Sequence, residues 1–189
     1  MRIRPLRPAD SEPLAELYLQ DRAFLREWEP DEPDAFFTPE GQRASVAQAL
    51  RESADGRMMP WIMEADGQPV GRINLTGIAL GSLMAASVGY WVPRRFGGRG
   101  HASSAVGQVL DIAFFELGLH RIDAYVRVDN AASLRVLAKH GFHTVGVSHG
   151  HLHAAGRWRD QVCLQKIAPW DDGVRMHAGF GDALLGPAA

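Results

Sequence analysis

A basic, glycine-rich loop in the middle of the chain carries residue types that bind anions. It follows an apolar run that Pro93 ends, because proline has no N–H for a strand ladder, and a helical pattern begins at His101. Glycines let backbone N–H groups approach an anion closely, and a helix start adds a partial positive charge. The pattern therefore predicts a pyrophosphate site. Its glycines and arginines are Gly97, Gly98, Gly100, Arg94, Arg95 and Arg99.

The spacing of this loop separates three kinds of phosphate site. A P-loop needs a Lys after the glycines, and none is present. The dinucleotide fingerprint, started at Gly98, meets Ser103 where Gly or Ala is required. The stretch 95–100 does match the pattern Q/R-x-x-G-x-G/A, which resembles the coenzyme A loop of the GCN5-related N-acetyltransferases. The alternative is an ordinary glycine loop with solvated arginines.

Three histidines near the end of the chain could act as bases. His149, His151 and His153 alternate, so they would lie on one face if the segment is a strand. A neutral imidazole suits general-base work near pH 7. No carboxylate or Cys pattern supports a metal site, and we expect none. At least two of the three also fit as exposed polar residues of a loop.

The elements that position these residues follow one another as a strand, two helices, three strands, a helix, a strand, a helix and two strands. Period-two alternation predicts a strand over 121–128, and Gly118 and Gly141 are in place to end helices. Asp66-Gly67 predicts a tight hairpin between two antiparallel strands. The order predicts an α+β fold with a mixed, mostly antiparallel sheet flanked by helices.

Length and composition narrow the class of protein. One domain over 1–168 is expected within 189 residues, followed by a loosely held tail over 169–189. A net charge of −2 gives no sign of nucleic-acid binding. A single cysteine, Cys163, fits a reducing compartment. No stretch reads as a signal peptide or membrane span, so we expect a cytoplasmic protein without a membrane partner.

The element order and four segments resemble the GCN5-related N-acetyltransferase (GNAT) superfamily, and within it the RimJ/RimL type. The resemblance spans roughly residues 1–170. It implies acetyl-CoA as co-substrate and no metal. The four segments are Phe24 to Pro30, Gly89-Tyr90-Trp91 with Gly98 to Ala102, Asn130 to Ser133 with Leu137 and Gly141-Phe142, and Gly156 to Asp160.

The resemblance also implies roles for individual residues in holding the coenzyme. A free backbone N–H near Trp91 or Val92 would stabilise the developing oxyanion, while the Trp91 side chain serves the core. The leaving thiolate needs a hydrogen bond, and Asn130 and Ser133 stand near the sulfur in this type, although Asn is also a good helix N-cap. The full coenzyme set is Tyr90, Trp91, Val92, Arg95, Phe96, Gly97, Gly98, Arg99, Gly100, His101, Ala102, Asn130 and Ser133.

The base that would neutralise the acceptor amine is less clearly marked. Some members of this type place a Glu there, but Leu152 stands at the matching position. His151 is therefore the candidate catalytic base, beside Ser133 and Asn130. A base could also be dispensable, because an N-terminal amine has a pKa near 8. Substrate contacts are expected from Trp28, Glu29, Asn74 and Trp158.

The acceptor implied by the resemblance is a protein N-terminal α-amine, of the ribosomal-protein alanine type. Transfer is expected to be direct, because no Cys–His or Ser–His pair adjoins the coenzyme motifs. The acidic loop from Glu29 to Asp34 would also suit a polyamine or an aminoglycoside. A non-catalytic acyl-CoA sensor is the rival from another class, and a homodimer remains open.

Overall fold

A computed structural model describes residues 1–171 of the chain. The five helices that we label are α1 (Ser11–Gln20), α2 (Arg22–Leu25), α3 (Pro39–Ala54), α4 (His101–Asp111) and α5 (Ala131–Lys139). The seven strands are β1 (Arg2–Pro5), β2 (Met58–Ala65), β3 (Gln68–Ala79), β4 (Ala85–Trp91), β5 (Arg121–Arg127), β6 (His143–Ala154) and β7 (Arg157–Ile167).

All seven strands form one sheet in the order β1-β2-β3-β4-β5-β7-β6. Every neighbouring pair is antiparallel except β4 and β5, which run parallel. The hairpin turn at Asp66-Gly67 joins β2 to β3, with both residues at positive φ. The predicted α+β class and mixed, mostly antiparallel sheet are confirmed.

The sheet opens between β4 and β5. Their pairing is limited to Ala85 with Arg121, Ala86 with Ile122 and Ser87 with Asp123. The end of β4, from Val88 to Trp91, therefore pairs with β3 on one side and diverges from β5 on the other. This divergence leaves backbone groups of β4 available beside a gap.

Two apolar cores cover the faces of the sheet. Helix α4 packs on one face with Val106, Val109 and the neighbouring Phe114, all essentially buried. Helices α1 and α3 pack on the other face around Leu14 and Val46. The buried apolar side chains of these helices are the ones that meet the sheet. The cores fix the positions of the gap and of the helix that follows the glycine loop.

Two details differ from the predicted elements. The first helical segment breaks at Asp21 into α1 and α2, and α4 ends in a π-helical turn over 112–116. Strand β6 includes the histidine-rich segment, for which the sequence left strand and loop both open. Gly118 and Gly141 both have positive φ, as predicted for residues that follow helices.

The predicted tail over 169–189 lies outside the described residues, apart from its first three. Among these, Trp170 packs against the α4 core and its Nε1 donates a hydrogen bond to the Phe114 carbonyl at 2.9 Å. Within residues 1–171, no helix combines the length and apolar character needed to cross a membrane.

Candidate functional site

The start of α4 has the backbone geometry of an anion site. Gly100 is the N-cap residue, with φ of 78°, and no side chain caps the helix. The first-turn N–H groups are therefore available to a ligand. A Cβ added at Gly98 or Gly100 would meet nothing within 4 Å, so the surrounding space is open. These features fit a phosphate group.

Phe96 anchors the loop in front of this helix. Its ring packs against both cores, while the guanidinium groups of Arg95 and Arg99 lie 4.9 and 5.9 Å from its centre. The His101 ring meets Phe96 edge-on at 6.5 Å. The predicted coenzyme residues Arg95, Arg99 and His101 thus group around the Phe96 ring, and the Arg95 guanidinium also donates to Gln20 Oε1 at the end of α1. Gly97, Gly98 and Ala102 complete that stretch of backbone.

Tyr90 reaches from β4 to α5. Its hydroxyl oxygen lies 2.9 Å from Ser133 Oγ, and burial raises the pKa of Tyr90 to about 12. Asn130 Oδ1 accepts a hydrogen bond from the Ser133 backbone N–H at 3.1 Å, which is the N-cap contact predicted for Asn130. Ser133 is therefore held at the helix start with its hydroxyl facing a protonated phenol.

A cleft of about 450 Å³ borders the diverging end of β4. Trp91 lines it from β4, and its register partner Arg72 lines it from β3 together with Asn74. The side chain of Trp91 is buried against Tyr18, with ring centres 4.3 Å apart. The remaining lining residues are Tyr18, Arg22, Leu25, Arg26, Glu29, Pro30, Asp31, Glu32, Asp34, Phe36, Phe37, Ser45 and Gly156.

Glu29 is the half-buried carboxylate of this cleft. Burial raises the pKa of Glu29 to about 7, because it disfavours the charged form more than Arg72 favours it. Arg72 is 7% exposed and its Nε donates to Asn74 Oδ1 at 3.0 Å. Burial lowers the pKa of Arg72, yet a guanidinium stays charged near neutral pH.

The three histidines do not share a face, so this prediction is wrong. The pairing of β6 with β7 shifts between Ser148 and Leu152, and Gly150 adopts a φ of 55° there. The resulting bulge breaks the period of two. Each imidazole has its own partner. His149 contacts Asp160, His151 stacks on Tyr125 at 4.6 Å and contacts Ser148, and His153 contacts Asp31.

Within residues 1–171, no group of three or more His, Cys, Asp or Glu side chains is arranged to hold a metal ion.

The predicted substrate residues divide into two groups. Glu29 and Asn74 line the cleft, whereas Trp28, Trp158 and the candidate base His151 are not among the residues that line it. Trp28 lies under the guanidinium of Arg127 at 4.1 Å, and Trp158 is 66% exposed with its ring edge-on to His153. Trp28 therefore holds the segment that leads into the cleft.

Asp31 ties the acidic loop to the β6–β7 hairpin. Its Oδ2 accepts from the Gly156 N–H at 2.9 Å and contacts His153 Nδ1 at 2.8 Å, while its own N–H donates to the His153 carbonyl. These bonds hold the pKa of Asp31 below its usual range. The hairpin thereby contributes Gly156 to the lining of the cleft.

A Ser–His contact does adjoin the coenzyme motif, contrary to the expectation from the sequence. Ser103 Oγ lies 3.0 Å from His140 Nε2, between α4 and α5. Burial lowers the pKa of His140. The His140 ring also packs against Gly107, where an added Cβ would come within 3.2 Å of it. The contact joins two packed helices rather than opening onto the cleft, so it acts as a helix-packing contact.

Sequence reasoning missed two side chains of the site. Arg72 is a cation within the apolar run 70–75 of β3, and a buried charge in such a run signals a functional role. Tyr90 was predicted as a coenzyme residue, but with no role for its side chain. Its contact with Ser133 joins residues 43 positions apart, and no local spacing encodes that distance.

Comparisons with known proteins identify the family. A family model described as an acetyltransferase (GNAT) domain matches residues 1–143. The Bacillus subtilis protein named probable N-acetyltransferase YjcK is 33% identical over 172 residues, covering 90% of this chain and 95% of that protein. The Escherichia coli [ribosomal protein uS5]-alanine N-acetyltransferase is 26% identical over 174 residues, covering 90% of each.

A solved structure gives the same result. Mycobacterium smegmatis RimJ, solved in complex with CoA-disulfide, matches with a TM-score of 0.85 and 32% identity, over 88% of this chain and 81% of that chain. The chain therefore belongs to the GNAT family of N-acetyltransferases, enzymes that use acetyl-CoA as the acetyl donor.

Proposed function

We propose that this enzyme acetylates the N-terminal α-amine of proteins. The observation that carries the proposal is the cleft beside the diverging end of β4, which opens to solvent and has acidic residues along its rim. A peptide N-terminus is a cation on an extended chain, so it needs both an open approach and negative charge. The Escherichia coli relative named for uS5 alanine acetylation supports the same acceptor class. A cytoplasmic location is part of this proposal.

The chain's own residues have distinct tasks in this reaction. The α4 start, with Gly98, Gly100 and the neighbouring arginines, would hold the pyrophosphate of acetyl-CoA. The free backbone near Trp91 and Val92 would polarise the thioester carbonyl in the gap. Acetyl-CoA supplies the activated acyl group. Tyr90 and Ser133 face each other on the α5 side, where they could protonate the leaving sulfur.

Transfer is proposed to be direct. The Ser103–His140 contact lies between packed helices, and Cys163 lies in β7, away from the cleft lining. Neither offers a nucleophile at the gap. A stable acetyl-enzyme that passes its acetyl group to an amine would overturn direct transfer.

A second acceptor class is favoured by the carboxylates of the cleft, which outnumber its three arginines, Arg22, Arg26 and Arg72. Its lining includes Glu29, Asp31, Glu32 and Asp34, although Asp34 pairs with Arg22. Such a surface would also attract a polyamine or aminoglycoside. Both acceptor classes present a cationic amine. They differ in the size of the molecule that carries this amine.

Thiol release from acetyl-CoA distinguishes the two classes. An alanine-starting peptide would be compared with spermidine and an aminoglycoside, and an N-terminally blocked form of the same peptide is the matched control. Turnover of the free peptide, with none for the blocked one, supports the proposal. Turnover of spermidine or the aminoglycoside alone would replace it with the second class.

A further inference from the structure

We propose that Glu29 is a catalytic residue that takes the first proton from the acceptor ammonium in the cleft. The inference rests on the N-acetyl transfer of the family and extends the proposed function by assigning its base. The family motif leaves this role unfilled, because Leu152 stands where a Glu was expected. The cleft supplies a carboxylate from a different segment, the loop after α2.

The position of Glu29 meets the first requirement of such a base. It lines the cleft together with Trp91, the last residue of β4, and with Arg72, the register partner of Trp91 on β3. An amine bound in the cleft would therefore share it with both Glu29 and the end of β4. Within residues 1–171 no hydrogen bond or ion pair engages the Glu29 carboxylate, although its backbone N–H is fixed on the Leu25 carbonyl.

The other acidic groups of the cleft are less suitable. Asp31 is occupied by Gly156 and His153, and these bonds keep it ionised. Asp34 pairs with Arg22 at the rim. Glu32 lines the cleft but is exposed to solvent. Glu29 alone among the four is half-buried with both carboxylate oxygens unengaged in the described part of the chain.

The surroundings of Glu29 tune its protonation. Arg72 faces it from β3 and favours the carboxylate, Tyr18 faces it from α1, and Glu32 on its own loop disfavours a second negative charge. The buried phenol of Tyr18 stays protonated, because burial and Glu29 both raise its pKa. Desolvation outweighs Arg72, and the pKa of Glu29 rises to about 7. A base is most effective when its pKa lies near the working pH. The other charged groups along the cleft are Arg22, Arg26, Asp31 and Asp34.

The proton balance of the reaction requires two separate acceptors. An ammonium loses two protons in becoming an amide, and a nitrogen–carbon bond forms as the carbon–sulfur bond breaks. Glu29 takes the first proton and later releases it to solvent. The second is lost as the amide forms, and the departing sulfur gains one proton to become the thiol. The net products are the acetylated amine, the free thiol and one proton.

The test measures kcat/KM from pH 5.5 to 9.5 with an alanine-starting peptide and with spermidine. Glu29→Gln is expected to lower kcat/KM about 100-fold, the lower end of the range for a general base. It should also remove the rise in activity centred near pH 7, leaving only the rise due to the acceptor amine, near pH 8 for an N-terminal amine. Glu29→Asp should recover part of the rate. Glu27→Gln, an exposed neighbour whose side chain lies outside the cleft lining, is the matched control and should be unchanged.

Two results would overturn the assignment. One is a Glu29→Gln enzyme within threefold of the wild type at pH 7. The other is a large loss of rate with the rise near pH 7 retained, which would indicate a structural role. Turnover of spermidine but not of the peptide would refute the proposed acceptor while leaving the Glu29 assignment to be judged on spermidine.

A second measurement requires no acceptor. Carbon-13 NMR of Glu-labelled enzyme, with Glu29→Gln identifying the resonance, follows the protonation of this carboxylate directly. A midpoint near pH 7 supports the assignment. A midpoint near 4.5, the ordinary value, overturns it.

Discussion

Tyr90 and Ser133 bring their hydroxyl oxygens to 2.9 Å from one another, across the space between β4 and α5. Because burial raises the pKa of Tyr90 to about 12, the phenol carries its proton at neutral pH and can donate it. Tyr90→Phe is expected to lower kcat roughly 100-fold, in line with loss of a general acid. Thiol release at saturating acetyl-CoA measures the effect.

Ser133→Ala tests whether Tyr90 donates the proton itself or acts together with Ser133 to position the reacting groups. If Tyr90 is the donor, removal of the Ser133 hydroxyl costs less than removal of the phenol hydroxyl. Tyr125→Phe is the control, since Tyr125 is 43% exposed and stacks on His151. Equal losses for Tyr90→Phe and Ser133→Ala would show that the pair acts as one positioning unit, contrary to this assignment.

Gly100→Ala is expected to raise the KM for acetyl-CoA about tenfold and to leave the KM for the acceptor unchanged. Gly100 has positive φ, and a Cβ added there would meet open space, so the cost is conformational, about 1–2 kcal/mol for a residue with a side chain. The rearranged N-cap would misdirect the first-turn N–H groups. Steady-state kinetics with both substrates varied gives the two constants.

Gly81→Ala provides the matched control for that substitution. Gly81 also has positive φ and open surroundings, but it lies in the turn between β3 and β4, at the opposite end of β4 from the loop. It should lower stability by a similar amount without changing either KM. Equal changes in both KM values for Gly100→Ala would contradict the separation of donor and acceptor sites.

Arg127→Met is expected to raise the KM for the acceptor several-fold with little effect on the KM for acetyl-CoA. Arg127 stacks on Trp28 at 4.1 Å, and its Nη1 donates to the carbonyl of Glu27, so it fixes the segment that leads to Glu29. Such a stacked cation contributes about 0.5–1 kcal/mol where partly exposed. Arg157→Met removes an exposed arginine of the hairpin and should leave the acceptor KM unchanged. A rise in the KM for acetyl-CoA alone would refute the proposed effect.

Glu29→Gln is expected to stabilise the fold at alkaline pH. Because the folded-state pKa is raised from 4.5 to about 7, the folded protein binds more protons than the unfolded chain between these values. Stability therefore falls as pH rises from 4.5 to 7, by up to roughly 3 kcal/mol. Urea denaturation should show the variant more stable than the wild type at pH 8 and nearly equal at pH 4.5. Equal stabilities at both pH values would argue against a desolvated carboxylate.

The contact between Asp31 and the hairpin should depend on pH in the opposite sense. The pKa of Asp31 is lowered in the folded state, so its contribution is present above the ordinary Asp pKa of 3.8 and is lost as pH falls through the lowered value. Hydrogen exchange of the Gly156 amide should stay slow above pH 5. Asp31→Asn should speed this exchange at pH 7, with Asp55→Asn, a surface residue after α3, as control. Unchanged exchange in Asp31→Asn would show that the hairpin is held by other contacts.

Local signals predicted most of the fold. Glycine turns, prolines and apolar periods placed the strands and helices, and Asn130 was predicted correctly as a cap because capping is encoded within three residues. The break at Asp21 and the bulge at Gly150 were missed, since both depend on how a segment meets the rest of the sheet. The prediction that the three histidines share one strand face was wrong for the same reason.

The site was predictable in its backbone and less so in its side chains. The glycine loop and α4 start form a contiguous stretch, so one motif places them together. The cleft instead combines α1, the loop after α2, β3, β4 and the hairpin. The position of Glu29 relative to Arg72 and Trp91 arises from packing, and the pKa of its carboxylate arises from burial, neither of which a single chain segment carries.

The three-pair ladder between β4 and β5 divides the sheet into two panels, β1 to β4 and β5 to β7. Backbone hydrogen bonds connect these panels over a short stretch only. The packing of the helices against the sheet must therefore hold the two panels together elsewhere. A pantetheine arm lying in the gap would act as a removable strand that joins them. The unbound enzyme should therefore flex along this seam, and binding of the donor should slow amide exchange from Val88 to Trp91 before any acceptor arrives.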